Sequence, residues 1–343
     1  MSIYYNYNRL NSHNALFNFV ITERGLGKSY GAKKMCVQKF MKGEGQFMLI
    51  RRYENELQLN LQTFWQDISR DPDFEGLVFG IKRGKKLSKF TIDGEVCGFA
   101  VALSTSSSIK STPFPDVTSI VFDEFIVDKG NIRYLKNEVE GFFELYETVA
   151  RTRTNVKAYF LGNAISSTNP YFSYDWGDGL HLSLPYGGSE FKKFKDGLIL
   201  VNYAKNSAYR EAKKETPFGK IIAGTKYSDY AIDNKWLRES AAFIGKKDGT
   251  AKFWNILILN GDKYGVWRGS GGRFWVSTDY DPNCPCVFTI NDGDHNENTI
   301  LIKARTSPWF KFLIEAYRNG TLIFEGQNVK NLVMPFIERC LTY

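Results

Sequence analysis

Thr22-Glu23-Arg24-Gly25-Leu26-Gly27-Lys28-Ser29 ends in Gly-Lys-Ser, the half of a phosphate-binding loop that carries its chemistry. Gly25 and Gly27 let the main chain approach an anion closely, and amides at the start of the following helix converge on it. Lys28 is placed to reach the β- and γ-phosphates of a nucleotide, and Ser29 to hold Mg²⁺. Arg24, Gly25, Leu26, Gly27, Lys28, Ser29 and Tyr30 therefore form the expected nucleotide contact, with ATP and Mg²⁺ as its occupants. Thr22 replaces the first glycine of the full GxxxxGK[ST] pattern. Arg24 either senses the γ-phosphate from within its own subunit or neutralises the nucleotide from the surface.

A second acidic element follows about 95 residues downstream, where the apolar run Ile120-Val121-Phe122 ends in Asp123-Glu124. A buried strand would aim Asp123 at the Mg²⁺ beside Ser29, while Glu124 polarises the attacking water as general base. The adjacent glutamate marks a hydrolysing ATPase rather than a passive nucleotide binder. Phosphoryl transfer is often completed by an arginine from an adjoining subunit. Arg151 is the first candidate, Arg153 the second, and Lys110, in a polar loop, a further trans-acting charge. Asn163, at the tip of the next strand, suits a γ-phosphate or water sensor; the alternative is a turn-forming Asn.

These residues need a parallel α/β sheet to bring them together. Phe17–Ile21 reads as a buried strand, Lys28–Met41 as a helix and Gln46–Ile50 as a second strand. Glu54 to about Arg70 reads as helical, and residues 77–103 as a meander with a hairpin turn at Asp93-Gly94. Val117–Phe122 and Val156–Leu161 are strands flanking an amphipathic helix, Asn137–Ala150. A small helical linker is expected over 204–235. It separates a P-loop ATPase domain (1–203) from a smaller α/β domain (236–343). Strands are expected there at Phe253–Leu259, Tyr264–Arg268 and Arg273–Thr278, and helices at Trp309–Arg318 and Val329–Cys340.

The bulk numbers agree with a globular chain of two domains. Of 343 residues, 43% are hydrophobic and 24% charged, enough apolar material for two cores. A net charge of +8 favours polyanionic partners. The five cysteines (Cys36, Cys97, Cys284, Cys286, Cys340) and three histidines offer no zinc spacing. The odd count and the lack of a signal core imply a reducing cytoplasm. No apolar run reaches the roughly 18–20 residues that span a bilayer.

The ordered set of motifs resembles the DNA-packaging ATPases of phi29-like phages. The pieces are Phe17–Tyr30 (FNFVITERGLGKSY), Ile50–Tyr53 (IRRY), Thr118–Phe125 (TSIVFDEF), Thr148–Arg153 (TVARTR), Asn163–Phe172 (NAISSTNPYF) and Phe218–Asn234 (FGKIIAGTKYSDYAIDN). The resemblance implies an ASCE-type ATPase, the P-loop class with an added catalytic Glu. It implies a pentameric ring docked on the portal of a procapsid in the host cytoplasm, driving double-stranded DNA inward and absent from the mature virion. Use of a packaging RNA by this member is left open. The C-terminal domain would resemble a vestigial RNase H-like nuclease. A two-metal nuclease needs converging carboxylates, and Phe253–Leu259 carries none. Asp262, Asp279, Asp281, Asp292 and Asp294 fall in turns and loops, while Lys252, Lys263, Arg268 and Arg273 offer backbone contacts to nucleic acid. Two alternatives stand beside the translocating motor: a large-terminase-like protein with an active C-terminal nuclease, and a nucleotide-gated assembly factor that does not translocate.

Overall fold

The computed structural model describes residues 5–127, 134–163, 169–178, 180–185, 189–204, 206–225, 243–259, 261–289, 292–302, 307–326, 329–330, 332–334 and 337. Two compact units result, one of residues 1–166 and 184–234, the other of 167–183 and 235–343. Most of the stretch read as a linker thus belongs to the first unit, and a short internal segment belongs to the second.

In the first unit, helix α1 (Tyr7–Asn11) precedes strand β1 (Phe17–Thr22), helix α2 (Lys28–Met41), β2 (Gln46–Arg51) and α3 (Glu54–Thr63). The meander supplies β3 (Phe79–Lys82), β4 (Ser88–Ile92) and β5 (Glu95–Ala102). Then come β6 (Val117–Asp123), α4 (Glu138–Ala150) and β7 (Lys157–Asn163). The chain returns to this sheet with β8 (Phe191–Phe194) and β9 (Ile199–Ala204). The nine strands are ordered β3-β4-β5-β2-β6-β7-β1-β9-β8. The six from β5 to β9 run parallel, and β3, β4 and β8 are antiparallel additions at the two edges.

Strand β7 lies between the phosphate-loop strand β1 and the acidic strand β6. That inserted strand is the topological mark of the ASCE class expected from the sequence. β1 is buried at every position, as a parallel strand covered on both faces must be. One face packs on α2 and α3 through Val20, Leu49, Val121 and Leu161. On the other, Phe19 stacks on Phe160 at 4.3 Å, and Phe142 of α4 meets Phe160 at 4.6 Å. The helix read over Glu54 to Arg70 stops at Thr63, because Phe64 and Trp65 turn into an aromatic cluster with Phe90 and Phe47. Asp93 (φ 51°) and Gly94 (φ 86°) form the expected hairpin turn.

The first unit closes with α6 (Ser207–Glu215) and α7 (Pro217–Ile222), and α5 (Pro170–Ser173) lies in the short segment of the second unit. The rest of the second unit carries β10 (Lys252–Leu259), β11 (Asp262–Arg268), β12 (Phe274–Ser277), β13 (Val287–Thr289) and β14 (Ile300–Leu301). These are followed by α8 (Pro308–Arg318) and β15 (Leu322–Phe324). Its sheet order is β14-β13-β10-β11-β12-β15. An antiparallel β10-β11-β12 meander extended by parallel β13 and β14 is the RNase H-like arrangement, with β15 added at the far edge. Residues 226–242 and parts of the Val329–Cys340 helix reading lie outside the described residues. Among the described residues no helix is long and apolar enough to cross a membrane.

Candidate active site

Four neighbouring parallel strands each end in a site residue: β2 in Arg51, β6 in Asp123, β7 in Asn163 and β1 in Thr22. Ligands of open α/β sheets bind outside the carboxyl ends of the strands, and this edge obeys that rule. Thr22 is fully buried and donates its hydroxyl to the Glu23 carbonyl at 2.8 Å, occupying the place of the missing first glycine. Gly25 and Gly27 hold φ of 89° and 79°, a region costly for any side chain. Gly27 caps the N-terminus of α2, which aims amides and the positive helix end at the loop. Leu26 is buried and its carbonyl accepts the Tyr5 amide at 2.9 Å. The Tyr7 hydroxyl donates to the Lys28 carbonyl at 2.8 Å, so the N-terminal segment braces the loop.

The charged set is tightly joined. Lys28 donates its ammonium to the Asn163 side-chain oxygen. Burial lowers the Lys28 pKa from its ordinary range, against the pull of Asp123 and Glu124. Ser29 donates to an Asp123 carboxylate oxygen at 2.9 Å. A hydroxyl and a carboxylate on one side of a phosphate-binding loop are the donor set for Mg²⁺ bound to a triphosphate, and the residues fit that group. Glu124 follows with φ of 60° and a side chain still 56% exposed. The Glu124 carboxylate is therefore reachable by water while its neighbour Asp123 is buried.

Arg51 joins the two carboxylates, with 3.2 Å to Asp123 and 2.7 Å to Glu124. It belongs to the IRRY motif, yet nothing in its spacing assigns it to the acidic pair. Two residues of α6 also escaped the sequence reading. Arg210 forms an ion pair with the buried Glu23, and the Tyr209 hydroxyl lies against Gly25 and 3.4 Å from the Arg24 carbonyl. The helix read as part of a linker thus packs directly on the phosphate loop.

The remaining candidates separate clearly. Arg151 caps the C-terminus of α4 with φ of 51° and is exposed. Its side chain makes no hydrogen bond or ion pair among the described residues. Arg153, by contrast, donates to the carbonyls of Phe114, Pro115, Val117 and Val149. That guanidinium is spent on its own subunit's backbone, which removes it as the second finger candidate. Lys110 pairs with Glu144 on α4 at 2.8 Å with both side chains at least half exposed. Arg24 is exposed beside the loop. Tyr30 is engaged elsewhere: its hydroxyl donates to Asp71, which also takes Lys34 at 2.8 Å. Burial, then Asp71, pushes its pKa up to about 12.

In the second unit, Asn255 occupies the buried middle of β10 where a nuclease would want a carboxylate. Asp279 is paired with Lys247 at 2.6 Å, and Asp294 accepts the Gly261 amide at 2.8 Å. These carboxylates are used in local contacts.

Comparison with known proteins agrees with this fold. The chain is 35% identical over 341 residues to the DNA packaging protein of Bacillus phage phi29, covering 98% of both chains. It is 34% identical to the DNA packaging protein of Bacillus phage B103, covering 94% of this chain and 96% of that one. The structure of the bacteriophage phi29 viral genome packaging motor assembly superposes with a TM-score of 0.71 at 32% identity, over 99% of this chain and 100% of that one. The N-terminal domain of the phi29 DNA packaging ATPase matches with a TM-score of 0.52 at 34% identity, over 61% of this chain and 100% of that one. The family model for the podovirus DNA encapsidation protein (Gp16) matches residues 1–340, and the chain belongs to that family.

Proposed function

We propose that the protein is the ATP-hydrolysing motor subunit that drives viral double-stranded DNA into a preformed procapsid. In this reading it works as a homo-oligomeric ring, a pentamer, docked on the portal in the host cytoplasm. A packaging RNA is a further candidate partner. The observation that carries the reading is the joined set at four strand ends. Lys28 lies on Asn163, Ser29 on Asp123, and Glu124 stands exposed beside them.

Lys28 would meet the β- and γ-phosphates, and Asn163, its hydrogen-bond partner at the tip of β7, would stand beside them. Mg²⁺ held by Ser29 and Asp123 would neutralise charge building on the phosphate oxygens. Glu124 orients and deprotonates the attacking water. The exposed Arg151 would complete a neighbour's site, which makes hydrolysis a property of the ring. The net charge of +8 suits a protein that grips a phosphate backbone.

The testing experiment is the ATPase rate with and without double-stranded DNA, beside Glu124→Gln and Arg151→Ala. A DNA-stimulated rate lost in both variants is expected. A rate indifferent to DNA, with Arg151→Ala still active, would move the reading to a nucleotide-gated assembly factor.

A further inference from the structure

Arg52 is a buried arginine, and every nitrogen of its guanidinium is engaged. Nε donates to a Glu138 carboxylate oxygen at 2.7 Å, and Nη2 donates to the other at 2.9 Å. Nη1 donates to the Glu124 carbonyl at 3.1 Å, and Nη2 also donates to the Phe125 carbonyl at 2.6 Å. The cation lies over the rings of Phe122, at 5.4 Å, and Tyr134, at 4.9 Å. Arg52 and Glu138 are both 2% exposed.

Such a pair is an expensive way to fill a core. Desolvating two charges costs more than packing apolar groups of the same size, so buried ion pairs are weak evidence for stability. The geometry gives this one a different task. Glu124 sits at φ 60°, where a residue with a Cβ is disfavoured and must be held by its surroundings. The Phe125 amide donates to the Leu161 carbonyl at 3.1 Å, which ties the segment to β7. Arg52 ties the same two residues from the other side, through both carbonyls. Its carboxylate partner, Glu138, is the first residue of α4 and also accepts the Leu135 amide at 2.9 Å. The far end of α4 is capped by Arg151.

We propose that Arg52 is a positioning residue for the general base. It locks the backbone of Glu124 and Phe125 to the first turn of α4, so that the base and the helix bearing Arg151 move as one body. Side chains alternate between faces along a strand. Arg51, the last residue of β2, reaches the Glu124 carboxylate, and the following Arg52 reaches its carbonyl. The proposal rests on the reading of Glu124 as general base.

The test is Arg52→Lys in the full chain, measured beside Glu124→Gln. Lysine keeps the charge opposite Glu138 but cannot present a planar fork to four acceptors. The expected result is a kcat lower by roughly 10- to 100-fold, as displacements of about 1 Å produce, with the KM for ATP within about twofold. Backbone amide exchange across residues 122–127 and the first turn of α4 should rise together in the same variant. A merely structural loss would lower nucleotide binding and turnover in step. If Arg52→Lys does not fold, the paired change Arg52→Met with Glu138→Leu removes both charges at similar volume. That folded, nucleotide-binding variant should remain slow. Full turnover in either folded variant, while Glu124→Gln is inactive, overturns the clamp alone. Normal turnover in Glu124→Gln removes the base it positions.

Discussion

Ser29 and Asp123, 94 residues apart in sequence, meet through a 2.9 Å hydrogen bond at the carboxyl edge of the sheet. This contact sets the two proposed Mg²⁺ ligands side by side, one from the phosphate loop and one from a strand. Asp123→Asn keeps the shape and still accepts a hydrogen bond from Ser29, but removes the negative charge. We expect MgATP turnover to fall at least about 100-fold. A fluorescent ATP analogue should bind the variant in EDTA as it binds the parent chain, and added Mg²⁺ should no longer tighten it. A full Mg²⁺-dependent gain in affinity would show that Asp123 is not a ligand.

Glu124→Gln isolates the next step. The side chain is 56% exposed and its loss of charge leaves Arg51 still paired with Asp123. Nucleotide affinity should change by no more than about threefold, while turnover falls by roughly 10²–10⁴, the range of a lost general base. Single-turnover phosphate release is the measurement. Release at the parent rate would exclude Glu124 as the base.

Arg151 and Arg153 lie two residues apart and should fail in different ways. Arg151→Ala removes an exposed cation with no partner among the described residues, so thermal stability should hold while turnover is lost. Subunits carrying Arg151→Ala mixed with subunits carrying Glu124→Gln should regain part of the activity, since one pairing in the mixed ring has an intact shared site. Arg153→Ala strips four carbonyls of their donor. It should lower stability by about 1–3 kcal/mol, a drop visible in thermal unfolding. No activity in any mixture of the first two variants would count against a shared site.

The parts of this site that occupy contiguous motifs were legible from residues alone. Gly25, Gly27, Lys28, Ser29, Asp123 and Glu124 announce themselves because a buried strand followed by a turn has few other ways to present them. The strands and helices that carry them followed from apolar periodicity, with α2 starting and ending where the pattern placed it. What escaped were the contacts that only a third dimension supplies. Arg51 lies 72 residues from Asp123, and no spacing rule sends a guanidinium across that distance. Strand β9 was missed because Ile199–Ala204 is a short apolar run whose period does not separate strand from buried helix. It pairs directly with β1 and leads into α6, so missing it also concealed how a linker helix comes to rest on the phosphate loop.

That helix supports a last prediction. Glu23 sits inside the phosphate loop with its side chain only 3% exposed, and Arg210 of α6 is its ion-pair partner. A carboxylate beneath a loop that must receive a triphosphate repels the incoming charge unless a cation balances it. Arg210→Ala leaves that buried carboxylate without its ion-pair partner. We expect ATP affinity to weaken roughly tenfold, or about 1.4 kcal/mol, with kcat in saturating ATP little changed. Adding Glu23→Gln to the same chain removes the repulsion at its source and should restore most of the affinity. The pair of variants separates charge balance from packing, because both lose the Arg210 side chain and only one keeps the Glu23 charge. If affinity stays weak in the double variant, Arg210 acts by holding α6 against the loop rather than by neutralising Glu23. Isothermal titration with a non-hydrolysable ATP analogue reads the difference directly.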